Sequence, residues 1–382
     1  MTTVNDMAHA DATFPLKEYQ ARIRKTRLKM AEMKADVLLI DCVEHMVYLF
    51  GYAPPAAIYQ AVLLPLDGEP VGIVRALDAS MFSEQSWVRD VVHFADHEDP
   101  VSVLAAEVKR HGWGRACFAI ELDSHFLPAK RFMQLQAALP EVRFVDFSQI
   151  LWEMRLIKSA AEVALMREVS RIADCGMVAA IEAAHEGASE RECAAALYAR
   201  VIREGADSMR SALISAGARS DSLHGRLGNH VLRRGDVLHV ESIPLYRGYG
   251  ARLMRSSVIG EPPADLARAA RIMLSAQEAQ YAAMRPGSRA GEIDAILRDA
   301  ILEAGLRKTY GNFTGYTLGF IGLPKTSDFT RAFLPGSDWF LEEGMVFHMY
   351  TYAAGIAFSD TILITSSGSE RLTKTERKLF VR

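Results

Sequence analysis

The chain has 382 residues, of which 50% are apolar and 24% charged, and this composition is typical of a globular protein with a sizeable core. Its net charge is −3 and no block of like charges occurs, which argues against a nucleic-acid or membrane-surface partner. Four scattered cysteines without a C-x-x-C pair, a polar start over residues 1–12 and no long apolar run predict a cytoplasmic protein with neither a signal peptide nor a membrane span.

The N-terminal part of the chain, up to a boundary near Trp152, alternates helical and strand patterns. The turn from Pro65 to Gly68 joins two short apolar runs into a predicted hairpin over residues 61–74. Buried strands are predicted over residues 37–40, 61–65, 71–74, 116–120 and 142–145. Helices are predicted over residues 16–33, 101–111 and 130–138. We therefore expect a small α/β domain over residues 1–152.

The next part of the chain begins with two helix start signals. Ser159 with Glu162, and Ser189 with Glu192, have the spacing of capping boxes. In this motif the two side chains satisfy N–H groups that the first helical turn leaves free. The first box should begin a long helix that ends near Ala184, and the second box should begin the next helix.

A pattern of turn, helix and hairpin then occurs twice. Hairpin strands are predicted over residues 237–242 with 250–259, and over 346–352 with 356–365. Each helix before them should end at a glycine in a left-handed cap. Five residues recur at an offset of 100 residues: Gly187, Glu192, Ala195, Leu197 and Gly205 match Gly287, Glu292, Ala295, Leu297 and Gly305. The duplication predicts a pseudo-two-fold domain, with a site where its two sheets meet.

Two motifs, together with this duplication, resemble the M24 family, which includes methionine aminopeptidase, prolidase and creatinase. The motifs are Arg-x-Ile-Lys-Ser-x-x-Glu over residues 155–162 and Leu-Glu-x-Gly-Met-x-Phe over residues 341–347. The resemblance covers the whole chain and points to the creatinase and prolidase branch. It implies an α/β (α+β) fold with a small creatinase/prolidase-like domain over residues 1–152 and a pita-bread catalytic domain over residues 153–382.

The resemblance also implies where the metal ligands of the family's peptidases would fall. Those enzymes hold two metal ions with two Asp, one His and two Glu, and such ions lie about 3.5–4 Å apart. A guanidinium at the second position would place a fixed positive charge where a dication should sit. The five positions are here occupied by Glu241, Arg252, Tyr316, Tyr350 and Ser359. We therefore expect no dinuclear metal site and no cofactor.

Within the family, the chain resembles the relatives that hydrolyse C–N bonds without metals, namely creatinase and, more strongly, ectoine hydrolase. This resemblance carries over His224, Glu241 and Tyr316, and the matching stretches cover residues 314–319, 347–348, 362–365, 368–372 and 377–381. The chain departs from the ectoine hydrolase pattern in the loops 54–57 and 323–328. Because such loops set substrate identity, ectoine, creatine and another amidine or amide all stay open as substrates.

His224 and Glu241 are the two candidate catalytic residues. His224 lies in a polar loop before the first hairpin, where an imidazole can take a proton from water at neutral pH. The alternative for it is an exposed loop histidine. Glu241 lies among strand residues and should point into the cavity, where a cationic amidinium or guanidinium would partner its carboxylate. The alternative for Glu241 is a structural ion pair with Arg252 or Arg255.

Four further residues are candidates for substrate binding. Arg252 can hold a substrate carboxylate through its bidentate fork, or else it partners Glu241. The other three, Tyr316, Tyr350 and His348, can hydrogen-bond a substrate or pack as aromatic core. His239 is expected to be structural. The local cluster of Asp221, Ser222 and His224 is too compact in sequence to be a catalytic triad.

These residues favour a metal-independent hydrolase that cleaves a C–N bond in a small amidine or guanidino zwitterion. One alternative is a non-catalytic pita-bread module that binds a peptide or a partner. The other is an Xaa-Pro metallopeptidase with unusual ligands, drawn from His224, His239, His348 and Glu241. The resemblance also implies a homodimer in which the N-terminal domain of one subunit helps to close the site of the other. The apolar segment over residues 50–59 fits a buried contact of that kind.

Overall fold

The structure is a computed structural model that describes residues 13–55, 58–210, 213–321 and 327–382. The polar start over residues 1–12, and parts of the loops 54–57 and 323–328, lie outside the described residues. The chain divides into two compact units, one with the described residues up to Met154 and the other with those from Arg155 onward. None of the helices in the described ranges combines the length and the apolar character that a membrane span needs.

A six-stranded mixed sheet with helices forms the first unit. Its strands are β1 (Val37–Ile40), β2 (Ala61–Pro65), β3 (Val71–Arg75), β4 (Asp90–Phe94), β5 (Cys117–Ile120) and β6 (Arg143–Asp146). Its helices are α1 (Leu16–Glu32), α2 (Val43–Phe50), α3 (Ala79–Gln85), α4 (Pro100–Arg110), α5 (Ala129–Ala138) and α6 (Ile150–Met154). The strand order is β4-β3-β2-β1-β5-β6, which makes β1 a central strand.

The central strand β1 is buried on both faces of the sheet. Leu38 and Ile40 belong to one hydrophobic core and Val37 and Leu39 to a second one. A strand covered on both sides is apolar throughout, and for this reason its short run is recognisable in the sequence. The predicted hairpin is confirmed, since β2 and β3 pair antiparallel.

Helix α2 was not predicted from the sequence. Every residue from Glu44 to Phe50 is buried. The apolar residues of this segment therefore do not alternate with polar ones at the spacing that reveals an amphipathic helix. The segment reads instead as one short apolar run, for which periodicity cannot separate a helix from a strand.

Four long helices pack in the second unit, in two pairs: α7 (Ala160–Glu182) with α8 (Glu190–Arg203), and α9 (Ala264–Ala283) with α10 (Ala290–Glu303). Both capping boxes are confirmed, at the start of α7 and at the start of α8. The glycines that follow α8 and α10, Gly205 and Gly305, both have positive φ. The duplicated helices therefore end in the way that their sequence predicts. Helix α9 was not predicted.

The strands of the second unit form a large sheet and a small one. They are β7 (Ser208–Met209), β8 (Leu213–Ala216), β9 (Val237–Ser242), β10 (Pro244–Tyr246), β11 (Tyr249–Gly250), β12 (Leu253–Val258), β13 (Gly315–Thr317), β14 (Ala332–Phe333), β15 (Val346–Ala353), β16 (Ile356–Thr365), β17 (Gly368–Arg371) and β18 (Phe380–Val381). The small sheet has the order β11-β10-β7. The large sheet has the order β14-β13-β15-β16-β12-β9-β8, with β17 on β16 and β18 on β12.

Both predicted hairpins of the second unit are confirmed, but they share one sheet. Strands β9 and β12 pair antiparallel, as do β15 and β16. The hairpins meet where β12 and β16 pair, with Met254 opposite Ser359. The expectation of two separate sheets was therefore wrong, because hydrogen bonds between β12 and β16 continue the sheet across the junction.

His239, a buried residue of β9, makes the stability of the fold depend on pH. Neither of its ring nitrogens has a hydrogen-bond partner among the described residues. Burial, with a smaller effect of nearby His224, lowers the pKa of His239 to about 4. In the unfolded chain an imidazole takes up a proton near pH 6.5, so between pH 6.5 and 4 the unfolded state binds more protons. Stability is therefore lost as the pH falls through this window.

We expect this histidine to remove about 3 kcal/mol from the free energy of unfolding between pH 6.5 and 4. Replacing it in His239→Gln should flatten the pH dependence by about that amount. Urea denaturation across this pH range measures the effect, and His93→Gln, the loss of an exposed histidine in the first unit, is the control. Parallel pH profiles for the wild type and His239→Gln would contradict the assignment.

Candidate functional site

A cavity of about 810 Å³ opens in the second unit, beside the junction of the two hairpins. Five aromatic rings contribute to its wall: Phe313, Tyr316, Phe329, Tyr350 and Tyr352. The wall also contains three arginines, Arg210, Arg252 and Arg307, together with His224 and Asp221. The cavity therefore combines ring faces with charged and hydrogen-bonding groups, as small-molecule sites do.

A buried ion pair underlies this wall. Glu241 lies on β9, and Arg252 lies one residue before β12. The Oε1 atom of Glu241 accepts a hydrogen bond from Nε of Arg252 at 2.7 Å and lies 2.5 Å from Nη2 of the same guanidinium. Both residues are buried, Glu241 completely. Because each charge is removed from water, each depends on the other for compensation.

The ion pair continues into a hydrogen-bond chain. Nη1 of Arg252 donates to the hydroxyl of Tyr316 and lies 3.5 Å from Oγ of Ser327. The same hydroxyl lies 2.8 Å from Nδ1 of His348. Since the phenol oxygen accepts from the guanidinium, its own proton is available to Nδ1 of His348. The chain Glu241–Arg252–Tyr316–His348 thus crosses the sheet from the first hairpin to the second.

Burial is the largest cause of the pKa shifts of Glu241, Tyr316 and His348 in this chain. Burial raises the pKa of Glu241, while the neighbouring Arg252 acts in the opposite direction. Burial and the charge of Arg252 together hold the pKa of His348 well below its usual value. Burial also raises the pKa of Tyr316, against an opposing effect of Arg252. At neutral pH the imidazole and the phenol are therefore uncharged, and they serve as hydrogen-bonding groups.

His224 is exposed and lies on the cavity wall, in the loop between β8 and β9. It is near enough to Glu241 to oppose, by a small effect, the rise that burial causes in the pKa of that carboxyl. The hydroxyl of Tyr352 donates to the carbonyl oxygen of Asp221 at 2.8 Å, which ties this loop to β15. The structure thus brings His224 to the same cavity as Arg252, Tyr316 and Tyr350.

Glu241 and His348 do not lie where the sequence analysis expected. Neither belongs to the cavity wall, and both are completely buried. The carboxylate of Glu241 turns to Arg252 because that guanidinium compensates its charge. Arg255, the other cation considered for Glu241, instead pairs with Asp360 at 2.8 Å. The two residues therefore act on the cavity through Arg252 and Tyr316, which do line it.

Several residues of the wall were not found from the sequence. Arg210 and Arg307 follow the glycines that end the duplicated helices, but at different distances from them, so the repeat did not mark either residue. Nη1 of Arg307 donates to Oδ1 of Asn312 at 2.8 Å, and the amide of Asn312 donates to the hydroxyl of Tyr350 at 3.1 Å. Irregular segments carry these side chains, so no periodicity marks them.

The five positions implied for metal ligands do not fit a pair of divalent cations. Glu241, at the first of these positions, already pairs with the guanidinium of Arg252. That positive charge would repel a metal ion bound to the same carboxylate. Oγ of Ser359 accepts from the backbone N–H of Met254 at 2.7 Å. The hydroxyl of Tyr350 accepts from Asn312. These side chains are engaged within the protein, and most of them are poor ligands for hard cations.

One group of three metal-capable side chains occurs among the described residues, and it lies in the first unit. It consists of Cys42, His45 and Glu121, whose ligand atoms lie within 4.8 Å of one another. The thiol of Cys42 donates to Glu44 at 3.2 Å, and Nδ1 of His45 lies 2.7 Å from Glu121. The set suggested for an unusual metallopeptidase, His224, His239, His348 and Glu241, does not form such a group in the described part of the chain.

Comparisons with known proteins agree with the fold and show the family. Residues 164–366 match the model of metallopeptidase family M24, and residues 22–157 match the creatinase/prolidase N-terminal domain. Ectoine hydrolase of Halomonas elongata is 29% identical over 98% of this chain and 100% of its own length. An Xaa-Pro dipeptidase of Pyrococcus furiosus is 29% identical over 94% of this chain and 99% of its own. The crystal structure of a prolidase from Pyrococcus horikoshii has a TM-score of 0.81 at 27% identity, with 94% of this chain and 100% of that chain covered.

The ion pair should dominate the stability of the junction. In Glu241→Gln the buried guanidinium loses its counter-charge, and removing one partner of such a pair costs about 3–5 kcal/mol. We expect a loss of about 3 kcal/mol in the free energy of unfolding, measured by guanidinium denaturation. The double variant Glu241→Gln/Arg252→Met should recover part of this loss.

An exposed ion pair provides the matched control for this measurement. Arg115 and Glu141 pair at 2.8 Å on the surface of the first unit, and Glu141→Gln should change the stability little because water compensates both charges. Equal losses of unfolding free energy in Glu241→Gln and Glu141→Gln would show that the buried pair contributes no more to stability than the exposed pair.

Proposed function

The chain belongs to metallopeptidase family M24 as a hydrolase of its creatinase and prolidase branch, and we propose that it cleaves a C–N bond in a small amidine or guanidino zwitterion without metal ions. One observation carries this proposal. The buried pair of Glu241 and Arg252 occupies two positions that the family resemblance assigns to metal ligands, and Arg252 lines a cavity that His224 also lines.

His224 is the proposed general base. Its imidazole faces the cavity from an exposed loop, so it can exchange protons with solvent. It removes a proton from a water molecule, whose oxygen forms a bond to the amidinium carbon while the π electrons of the C=N bond move onto nitrogen. The C–N bond then breaks as the departing nitrogen takes the proton from His224. The added hydroxyl group gives its own proton to the released amine and becomes the carbonyl of the product. No further reactant is required.

The ion pair and the phenols supply the proposed orientation and charge. Glu241 fixes the guanidinium of Arg252, and Arg252 in turn fixes the hydroxyl of Tyr316. The rings of Tyr316 and Tyr350 offer their faces to the cationic end of the substrate. Fixed dipoles and charges in a cavity of this kind are a large source of catalysis. In this proposal Glu241 acts through Arg252, and His348 acts through Tyr316.

Hydrolysis of an Xaa-Pro dipeptide is the second candidate. The relatives from Pyrococcus named as dipeptidase and prolidase favour it. The side chains at the five metal positions argue against it, since Arg252, Tyr316 and Ser359 do not replace the carboxylates and imidazole that hold two ions. The cavity volume of about 810 Å³ is compatible with both substrates and does not separate them.

Treatment with EDTA separates the two candidates. Protein purified without chelator should contain well under one equivalent of Mn, Zn, Fe or Co per chain. After EDTA treatment it should still hydrolyse an amidine or guanidino zwitterion from a panel that includes ectoine, creatine and Xaa-Pro dipeptides. His224→Ala should lower kcat by about 10²–10⁴-fold, the usual contribution of a general base. The exposed His93→Ala is the control.

Three results would contradict this function. They are loss of activity in EDTA with recovery in Mn²⁺, a preference for Xaa-Pro dipeptides, or retained turnover in the double variant His224→Ala/Glu241→Gln. The last result would remove the general base and the ion pair from the mechanism together.

We also propose a homodimer in the cytoplasm. The resemblance to creatinase-type enzymes supports the dimer. In the segment over residues 50–59, Phe50, Tyr52 and Tyr59 are buried inside the first unit, whereas Ile58 is exposed. Ala56 and Ala57 lie outside the described residues. Light scattering at micromolar concentration should give twice the chain mass of 42.3 kDa. The mass of a single chain would exclude a site that two subunits share.

A further inference from the structure

The His224 loop, residues 216–228, leads away from the end of β8. Residues 217–228 are all exposed or half-buried, so burial of their side chains does little to fix the position of this loop. A general base must nevertheless be held accurately, because a displacement of about 1 Å can lower a rate about 10²-fold. The contacts that hold the His224 loop in place therefore bear on the proposed reaction.

Both ends of the His224 loop bind the carboxylate of Glu190, the first residue of α8. Oε1 of Glu190 accepts from the backbone N–H of Ala216 at 2.9 Å, and Oε2 accepts from the backbone N–H of Gly228 at 2.7 Å. Hydrogen bonds to a charged acceptor are roughly twice as strong as those between neutral groups. One side chain at the start of a long helix thus closes the base of the loop.

A further donor to Glu190 comes from inside the loop. Nη2 of Arg219 lies 2.5 Å from Oε1 of Glu190 and 2.6 Å from Oε2. Nη1 of Arg219 donates to the carbonyl oxygen of Arg226 at 2.9 Å. Glu190 is completely buried, and the guanidinium compensates its charge. Arg219 and Arg226 lie on either side of His224 in the sequence, so this guanidinium joins the two limbs of the loop to its anchor.

Gly228 allows the loop to come this close to the carboxylate. A Cβ atom on Gly228 would lie 2.5 Å from Oε2 of Glu190, and closer still to Nη2 of Arg219. Any larger residue would therefore displace the carboxylate, the guanidinium or the loop itself. A glycine at this position is thus part of the same arrangement, because it lets the backbone N–H reach Oε2.

We propose that Glu190 is a positioning residue, which closes the base of the His224 loop and so holds the imidazole at the cavity. The inference rests on the proposed function, in which His224 is the general base. Glu190 lies outside the described wall of the cavity, so it acts on the reaction through His224 and does not touch the substrate. Without this anchor the imidazole samples positions from which it cannot reach the water that it must deprotonate.

Hydrogen exchange followed by mass spectrometry tests the anchor on the protein without any substrate. In Glu190→Ala the N–H groups of Ala216 and Gly228 lose their acceptor, so peptides that cover the His224 loop should exchange about tenfold faster. Gly228→Ala keeps the carboxylate but blocks the close approach, and it should have the same effect. The control is Glu204→Ala, which removes a half-buried carboxylate from the other end of α8 and should leave exchange of the loop unchanged.

Turnover of ectoine or creatine, whichever the wild type hydrolyses, tests whether the anchor acts through His224. Glu190→Ala should lower kcat about 10²-fold with little change in KM. Glu190→Gln should lose less, because its amide oxygen still accepts one hydrogen bond. In a His224→Ala chain, Glu190→Ala should lower kcat further by less than about threefold, because the group that it positions is already absent. A purely structural loss would have its full size in both backgrounds.

Two results would overturn the proposal. One is unchanged exchange of the His224 loop in both Glu190→Ala and Gly228→Ala. The other is an equal loss of kcat on Glu190→Ala in the wild-type and His224→Ala backgrounds. The proposed function can fail separately. Full turnover in His224→Ala, or hydrolysis of neither probe, would reject the function, whereas faster exchange in Glu190→Ala would still keep Glu190 as the anchor of the loop.

Discussion

The buried pair of Glu241 and Arg252 is the constraint on which the rest of the site depends. Two ionised groups without access to water are stable only when each compensates the other. The pair can form because β9 and β12 are antiparallel neighbours. Glu241 lies opposite Met254, and Arg252, two residues before Met254, is therefore its diagonal neighbour. The guanidinium then fixes the hydroxyl of Tyr316 and, through it, the ring of His348.

This arrangement determines which groups of the cavity carry charge. The phenol of Tyr316 and the imidazole of His348 remain neutral because burial opposes their ionised forms. Glu241 compensates the charge of Arg252, and Arg210, Arg307 and His224 also line the cavity. Without metal ions, a hydrolase of this family would have to stabilise the charge of its transition state with such fixed groups. Orientation of the reactants and fixed charges are then its main means of lowering the barrier.

Local signals in the sequence predicted much of this fold. Ser159 and Ser189 marked helix starts because capping depends on a few adjacent residues, and the offset of 100 residues revealed the duplication. Helix α2 was missed because it is buried on all sides and therefore lacks an amphipathic pattern. For Glu241 the sequence left two directions open, into the cavity or toward an arginine, and the structure shows the ion pair with Arg252. Strand alternation gives the face on which a residue lies, but only the position of Arg252 decides where its carboxylate turns.

Because the domain is duplicated, both copies contribute residues to the cavity wall. Arg210, His224 and Arg252 come from the first copy, whereas Arg307, Tyr316 and Tyr350 come from the second. The two copies share a sheet that is joined where β12 meets β16. Neither copy contains a complete binding surface, so a ligand can bind only after both have folded and joined. By mass action such a ligand stabilises the contact between the two copies. It opposes their separation more than it opposes local unfolding within either copy.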